Sequence, residues 1–312
     1  MPVDAFSLRT KRGATATVWT YGATLVDMTT PDRHGELNSV VLRLPDLPSY
    51  EDRATNPSYM GAILGRYGRC IAHGRFMLDD VTHQLDRNIG GHHFHGGSAG
   101  FDRFVWTADA EVRGDAAVLD LSLTRPDGDQ GYPGAMAAGV RYEMAETGDL
   151  TLTFTATTSR STIVGLTGHA FWNLGGAGAI DGHRLAVNAR RVVATDDGLI
   201  PTGDLTSVQD AGLDWTAERP IGAARLDHCF VLDEGPWAAR LRDPRSGRMM
   251  EILTDQPGLA VYSADLLASA RSGLCLQTGP LADSPNQPGF PSSRLDPGCV
   301  YRHRTTFRFR IK

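Results

Sequence analysis

Apolar and polar residues alternate with a period of two along much of the chain. In the segment TLTFTAT (151–157), Leu152, Phe154 and Ala156 fall on one side and the four threonines fall on the other. The final segment HRTTFRFRIK (303–312) alternates in the same way between aromatic residues and arginines. This period is typical of a β-strand with one buried face.

Three more segments, 14–28, 116–124 and 139–146, also have the composition of strands. They are separated by turn clusters such as PDRHGE, RPDGDQGYPG and RDPRSGR, and most of the 35 glycines and 17 prolines lie between strand-like runs. No strongly periodic helix longer than about 10 residues is visible. The pattern predicts an all-β fold in which two large antiparallel sheets pack as a sandwich. No linker, composition shift or repeat divides the chain, so we expect one domain over residues 1–312.

Composition narrows the classes of function. The chain has 41% hydrophobic residues, enough for a substantial core, and a net charge of −5 with both signs interspersed. No basic stripe indicates nucleic acid, and no Lys/Arg cluster or run of about 18 apolar residues indicates a membrane. The start MPVDAFSLRTKRG lacks an apolar secretory region, and the four cysteines are widely spaced. We expect a cytoplasmic protein with reduced thiols and a small-molecule partner.

The segment NIGGHHFHGG (88–97) holds three of the ten histidines. If it is extended, His93 and His95 share one face and His92 takes the other. A metal site would need three or four donors, and no HExxH or comparable pattern supplies them. Structural or solvated histidines are the second interpretation. The third, hydrogen bonding of His93 and His95 to a polar ligand, is favoured by the flanking glycines, which let a bulky molecule come close to the backbone.

A further histidine, His169, stands among apolar and aromatic residues in GLTGHAFWNLGG (165–176). It could be a neutral core histidine, or it could transfer protons, since imidazole titrates near neutrality. Trp172 and Asn173 follow it and are candidates to contact a sugar, because a flat aromatic surface suits a pyranose face. In ARLDHCFVL (224–232), Asp227 precedes a predicted strand and is either a turn residue or a ligand-binding carboxylate.

Other site classes are not supported. The glycine-rich segments GGHHFHGG and GGAGAIDG lack the Lys-Ser/Thr ending and the strand-to-helix context of nucleotide loops. There is no GxSxG elbow, and no cysteine stands in the pattern of a nucleophile. No cofactor or metal is therefore predicted.

Taken together and in order, the segments resemble the aldose 1-epimerase, or galactose mutarotase, family. The similarity is carried by nine motifs: YGATLVDMTTPDRHGE, GRYGRCIAHGRF, NIGGHHFHGG, GYPG, GHAFWNL, DDGLIPTG, LDHCFVL, QPGLAVYS and DSPNQPGFPSS. The resemblance implies a large antiparallel β-sandwich with a sugar site in a cleft on one sheet. It also implies an isomerase that interconverts the α and β anomers of a free aldose by acid–base ring opening, with no cofactor.

The resemblance assigns roles to three residues. His169 matches the family's general acid, His95 matches a histidine that hydrogen-bonds near the ring oxygen, and Asp227 matches a carboxylate that holds a sugar hydroxyl.

Two positions depart from the family pattern. The family's general base is a Glu six residues before the Asp of the DxPN-like turn, and counting back from Asp283 gives Gln277. An amide cannot accept a proton at useful pH.

In GRYGRCIAHGRF, Arg69 stands where the family has Asn and Cys70 where it has a sugar-binding Arg. A shift of one residue on a strand would turn the guanidinium to the opposite face, unless a bulge restores it; Arg69 and Cys70 both remain candidate sugar contacts.

Three functional hypotheses remain. The first is a mutarotase whose base is supplied by Asp227, His93, a bound water or the substrate's own carboxylate. The second is an isomerase or lyase acting on a related cyclic hemiacetal, sugar acid or lactone, with His169 as acid and Arg69 binding an oxyanion. The third is a non-catalytic carbohydrate-binding protein. In each the partner is a sugar or sugar-like molecule, and the protein is a monomer or homodimer.

Overall fold

Strands account for most of the regular structure in residues 2–312, the residues that the computed structural model describes. One short α-helix, α1, spans Leu47–Glu51, and five single 3₁₀ turns span Ala72–Gly74, Phe101–Arg103, Asp129–Gly131, Ile180–Gly182 and Ser284–Asn286. The first strands are β1 Ala5–Arg9, β2 Thr15–Trp19, β3 Thr24–Pro31, β4 Leu37–Ser39, β5 Ile63–Leu64, β6 Cys70–Ile71, β7 Arg75–Leu78, β8 Val81–Gln84 and β9 His93–Phe94. They are followed by β10 Thr107–Arg113, β11 Ala116–Arg125, β12 Met136–Met144, β13 Leu150–Thr158, β14 Thr162–Ile163, β15 Thr167–Gly168, β16 Phe171–Trp172, β17 Arg184–Val187 and β18 Arg191–Thr195. The last are β19 Pro201–Ser207, β20 Arg219–Pro220, β21 Asp227–Val231, β22 Ala239–Arg242, β23 Arg248–Thr254, β24 Gly258–Tyr262, β25 Leu274–Gly279, β26 Arg294–Leu295 and β27 Tyr301–Ile311.

Three sheets form the body of the protein. A nine-stranded sheet has the order β10-β11-β12-β13-β27-β23-β22-β17-β20, a six-stranded sheet has the order β16-β25-β24-β21-β18-β19, and a four-stranded sheet runs β1-β2-β3-β4. Their strand pairs are antiparallel, which confirms the predicted all-β class with large antiparallel sheets.

The main hydrophobic core is shared by the three sheets. Val140 and Phe154 come from the nine-stranded sheet, Val261 and Leu276 from the six-stranded sheet, and Val18 from the four-stranded sheet, and all belong to one buried cluster. Each of these side chains is at most 2% exposed. The predicted alternation therefore builds the core, because the apolar positions of each strand point to the same interior.

The strand boundaries differ from the predicted ones within residues 14–28. The stretch 14–28 is two strands, β2 and β3, joined by a turn in which Gly22 and Ala23 have positive φ. A Cβ on Gly22 would lie 2.9 Å from the backbone oxygen of Asp102, so glycine is required there by space as well as by backbone conformation.

Four two-stranded ribbons complete the strand structure, and two of them position candidate site residues. β5 pairs with β15, which leads to His169. β6 pairs with β9, and Arg69 and His95 meet at one end of this ribbon, where the His95 N–H donates to Arg69 O. These short elements make few ladder bonds of their own. Their positions are set by contacts with the larger sheets.

Several histidines are buried in a neutral form, which predicts how stability depends on pH. Burial lowers the pKa of His93, His183 and His303 to about 4, whereas a histidine in an unfolded chain titrates near 6.5. Between these values the unfolded chain binds more protons, so the free energy of unfolding falls as pH falls. Each histidine contributes up to about 1.4 kcal/mol per pH unit in this window.

We expect the urea midpoint to fall between pH 6.5 and pH 5, measured by fluorescence at constant ionic strength. His303→Gln should reduce this pH slope, whereas substitution of the exposed His34 by Gln should leave it unchanged. A midpoint independent of pH over this range would contradict the neutral state of these histidines.

Candidate active site

The six-stranded sheet has one polar face, opposite the face on which Leu259, Val261 and Leu276 enter the main core. Directly paired residues of antiparallel strands point to the same side. The polar face, which we call the cleft floor, consists of residues paired across β21, β24 and β25: Asp227, Tyr262 and Cys275 in one row, and Cys229, Ala260 and Gln277 in the next. Ala260 and Cys229 are small and partly exposed, so they leave a depression beside Gln277.

His169 stands at the edge of this floor, two residues before β16. Its backbone is held on both sides, since its N–H donates to Ala62 O at 2.9 Å and its carbonyl accepts from Gly61 N at 2.9 Å. Its Nδ1 lies 3.5 Å from the Cys275 sulfur. Burial, together with the Arg69 and Arg53 cations, lowers the pKa of His169 to about 3. The ring is therefore neutral at pH 7.

His95 faces His169. Its backbone N–H donates to Arg69 O at 3.3 Å, and its Nδ1 lies 3.0 Å from Gly68 O. A carbonyl can only accept, so in the neutral ring Nδ1 carries the hydrogen and Nε2 has a free lone pair. The His95 and His169 rings meet edge to face with centroids 5.1 Å apart. Burial, then His169 and Arg69, hold the pKa of His95 well below its usual range.

The prediction that His93 and His95 share a face is wrong. His95 has a φ of 53°, which ends the alternation of the strand at Phe94. His93 instead points into the protein, where Nδ1 lies 2.7 Å from Asp86 O and Nε2 accepts from the Tyr132 hydroxyl at 2.6 Å. Both ring nitrogens are occupied, so His93 has none left for a ligand or for proton transfer.

Arg69 and Gln277 are in direct contact. One guanidinium nitrogen of Arg69 donates to the Gln277 side-chain oxygen, and the other donates to the Gln277 backbone oxygen at 2.6 Å. Nε donates to Pro280 O at 3.3 Å. Arg69 lies at a bend before β6, and this irregular backbone brings the guanidinium to the cleft side of β25. The guanidinium packs alongside Gly279, where a Cβ would lie at an ordinary van der Waals distance of 3.5 Å.

Asp283 ties these segments together. Its carboxylate accepts from the backbone N–H of Ala72 at 2.9 Å and from the amides of Asn286 and Gln287 at 2.7 and 2.9 Å, while its own N–H donates to Cys70 O at 2.9 Å. The turn after β25 is thereby joined to β6, the strand that follows Arg69. Cys70 is buried beside this turn, and burial followed by the Asp283 and Asp196 charges raises the pKa of its thiol to about 12.

Asp227 occupies the far side of the floor. It is two strands away from Cys275, which at about 4.8 Å per strand is a separation of about 10 Å. Its side chain is open to solvent yet surrounded by protein atoms, as expected on a concave surface. These atoms, and then the Asp265 carboxylate, raise the pKa of Asp227.

Trp172 and Asn173 do not reach the floor, which corrects the expectation that they contact a sugar. Trp172 is fully buried and packs on Phe307 with ring centroids 4.7 Å apart. The Asn173 amide donates to Gly178 O at 2.8 Å and to Ser272 O at 2.7 Å. Trp172 faces the interior because it pairs with the core residue Leu274, whereas Asn173 lies just beyond β16 and anchors the neighbouring loops.

Tyr59 is a site residue that the sequence pattern did not reveal. Its ring meets His95 edge-on at 4.9 Å between centroids and lies 6.1 Å from His169. The Arg53 guanidinium stacks on it at 3.9 Å and pairs with Asp102 at 2.5 Å. Tyr59 stands in an irregular segment with a φ of 52°, so neither strand nor helix periodicity could mark it.

A broader concavity lies elsewhere, on the outer face of the nine-stranded sheet. It has a volume of about 660 Å³. It is lined by residues that include Asp109, Asp120, Arg141, Arg302 and Arg304. None of the predicted site residues borders it, and an Arg141–Asp120 ion pair at 2.7 Å crosses it. Its lining is that of a solvated sheet face, and the convergent histidines favour the cleft floor as the reactive site.

Comparison with known proteins identifies the fold's relatives. The sequence model of the family described as aldose 1-epimerase matches residues 4–308. The chain belongs to the aldose 1-epimerase family. It is 34% identical to the galactose mutarotase of Bos taurus over 316 residues, which cover 93% of this chain and 90% of that protein.

Two further relatives support the family assignment. The aldose 1-epimerase of Escherichia coli K12 is 30% identical over 336 residues, covering 99% of this chain and 95% of that one. The crystal structure of a GalM/aldose epimerase homologue from C. elegans superimposes with a TM-score of 0.92 at 25% identity, covering 99% of both chains. The relatives named aldose 1-epimerase and galactose mutarotase are isomerases of carbohydrate metabolism.

Two other structural findings bear on this family member. Among residues 2–312, no three His, Cys, Asp or Glu side chains converge in a way that could hold a metal ion. In the same part of the chain no helix has the length and apolar character needed to cross a membrane.

The packing of Tyr59 against the two imidazoles gives a testable prediction. Tyr59→Ala should lower the free energy of unfolding by about 3–5 kcal/mol, because it removes a buried ring and leaves a cavity. Tyr59→Phe keeps the ring and loses only the contact of the hydroxyl with Asn88, so we expect a loss of about 1 kcal/mol or less. Urea denaturation measures both, and equal losses in the two variants would contradict a packing role for the ring.

Proposed function

We propose that this protein interconverts the anomers of a free aldose by opening and closing the sugar ring. The observation that carries the proposal is the facing pair of imidazoles, His95 and His169, 5.1 Å apart beside a polar floor that ends at Asp227. Two imidazoles that can give and take protons, next to a carboxylate that can hold a hydroxyl, suit a polyhydroxylated ring.

The proposed reaction conserves protons. His95 takes the proton of the anomeric hydroxyl on its free Nε2, and His169, when protonated, gives one to the ring oxygen. The bond between C1 and the ring oxygen breaks as the C1 carbonyl forms, the C1–C2 bond rotates, and closure reverses each step. The pair holds one proton before and after, and the proton has moved from one imidazole to the other.

Gln277 has a positioning role in this scheme. Its amide oxygen accepts from Arg69, and its amide nitrogen lies 3.5 Å from the Cys275 sulfur. The amide accepts no proton, so the work that the family resemblance assigns to a glutamate passes to the imidazoles. Asp227 binds a sugar hydroxyl across the floor, and Tyr59 orients both imidazoles.

A non-catalytic sugar-binding protein is the second candidate, and the amide at Gln277 favours it. A site that keeps hydrogen-bonding groups but lacks a strong base can bind a sugar without turnover. Calorimetric binding of an aldose, with no acceleration of mutarotation over buffer, would establish this second function in place of the first.

Polarimetry tests the proposal directly. The protein should accelerate the decay of optical rotation of freshly dissolved α-aldose, and His169→Asn or His95→Asn should reduce kcat by about 10²- to 10⁴-fold, since each removes a proton-transfer group. The exposed His34, replaced by Asn, is the matched control and should leave the rate unchanged. Acceleration that survives both cleft variants would place the chemistry elsewhere.

The pH dependence follows from the depressed pKa values. The pair must hold one proton, and the pKa of each imidazole lies below 6.5, so at pH 7 only a small fraction of the protein is in the reactive form. For a neutral aldose, kcat/KM after subtraction of the buffer rate should therefore rise as pH is lowered from 8 to 6. A rate that instead increases with pH would assign the limiting step to a deprotonated group such as Asp227.

A further inference from the structure

Arg69 is a buried cation without a buried anion. The residue is 4% exposed, and no carboxylate of residues 2–312 lies within 4.0 Å of its guanidinium. Its three acceptors are the Gln277 amide oxygen and the backbone oxygens of Gln277 and Pro280. Three of its five N–H groups are thus used, and all of its partners are neutral. Burying an uncompensated charge is costly, so such a group marks a place for an anion.

Two other arginines are also buried without a carboxylate within 4.0 Å, and they differ from Arg69 in position. Arg248 makes five hydrogen bonds, all to backbone oxygens. Arg66 donates to three backbone oxygens and lies near the Tyr132 ring. Both hold neighbouring backbone segments together, and no side-chain acceptor takes part. Arg69 bonds a side-chain amide and stands at the polar face of the sheet.

The surroundings of Arg69 are those of the proposed reaction site. Its backbone oxygen accepts from His95, and its charge lowers the pKa of both His95 and His169. Gln277, which it contacts, is paired on the floor with the small residue Ala260. An anion that reached the depression beside Gln277 would therefore meet the guanidinium within reach of both imidazoles.

We propose that the substrate is an aldose that carries a carboxylate, a uronic acid in chemical class, whose carboxylate is paired with Arg69. This inference rests on the proposed function, since it names the substrate of the same site. Two N–H groups of Arg69, one on each terminal nitrogen, remain after its bonds to Gln277 and Pro280 and can donate to the oxygens of one carboxylate. A phosphate dianion carries a larger charge, for which the cleft floor offers no second cation.

Substrate binding would also adjust the imidazoles. The carboxylate neutralises the Arg69 charge, which removes one of the causes that lower the pKa of His95 and His169. Their pKa values rise, the singly protonated pair becomes more populated at pH 7, and proton transfer to the ring oxygen becomes easier. An acidic sugar thus supplies the negative charge that a carboxylate at position 277 would have supplied.

The test compares mutarotation of α-D-galacturonate, α-D-galactose and galactose 6-phosphate at pH 7 and equal ionic strength. The wild-type protein should favour galacturonate over galactose by about tenfold or more in kcat/KM, the gain expected for a charge-assisted pair. Gln277→Glu should reverse this preference, because the new carboxylate occupies Arg69 and repels the substrate's. Arg69→Gln should remove the preference, and Arg302→Gln, which removes an exposed cation far from the cleft, should retain it.

The outcomes separate this inference from the proposed function. Galactose converted as well as galacturonate by the wild-type protein, or galactose 6-phosphate preferred to both, would overturn the uronic-acid assignment and leave mutarotation standing. Preferential binding of galacturonate without turnover of any of the three, measured by calorimetry, would support the anion site and overturn the mutarotase. A preference for galacturonate that Gln277→Glu does not diminish would show that Arg69 does not carry it.

Discussion

The register between β21, β24 and β25 is the constraint on which the rest of the site depends. Because paired residues in antiparallel strands share a side, this register places Asp227, Cys275 and Gln277 on one face and the core leucines and valines on the other. A slip of one residue would bury the polar set and expose the apolar one, so the hydrophobic core fixes the site geometry. The packing that buries the core face of the sheet therefore also places the residues of the cleft floor.

The candidate site residues that lie outside the six-stranded sheet belong to short, irregular segments. His95, Tyr59 and Asp283 all have positive φ, and each lies where the chain turns towards the floor. Such conformations cost free energy and persist only where surrounding contacts determine them. Tyr59 stacks between Arg53 and the imidazoles, and the carboxylate of Asp283 is saturated by three donors. The side chains of the candidate site are thus held by packing and hydrogen bonds that the sheets alone would not make.

Much of the fold could be predicted from the period of the sequence, and the family resemblance supplied part of the candidate site. The alternation of Leu152, Phe154 and Ala156 predicted a strand whose interior face is buried, and it is. Trp172 and His93 were misassigned for a common reason: side-chain direction in a two-residue strand depends on where the strand ends, and the sequence carries no periodic signal for that. Tyr59 was missed because an isolated residue with positive φ leaves no pattern at all.

The hydrogen bonds of Asp283 limit how far the walls of the cleft can move when a ligand binds. The turn after β25 and the segment that follows Arg69 are fastened to each other through one saturated carboxylate, and β6 continues from there into the ribbon that ends at His95. These hydrogen bonds oppose movement of the parts relative to one another. A molecule entering the depression would therefore have to match a largely preformed cleft. Discrimination between similar sugar rings would arise more from shape complementarity to this cleft than from closure of the protein around them.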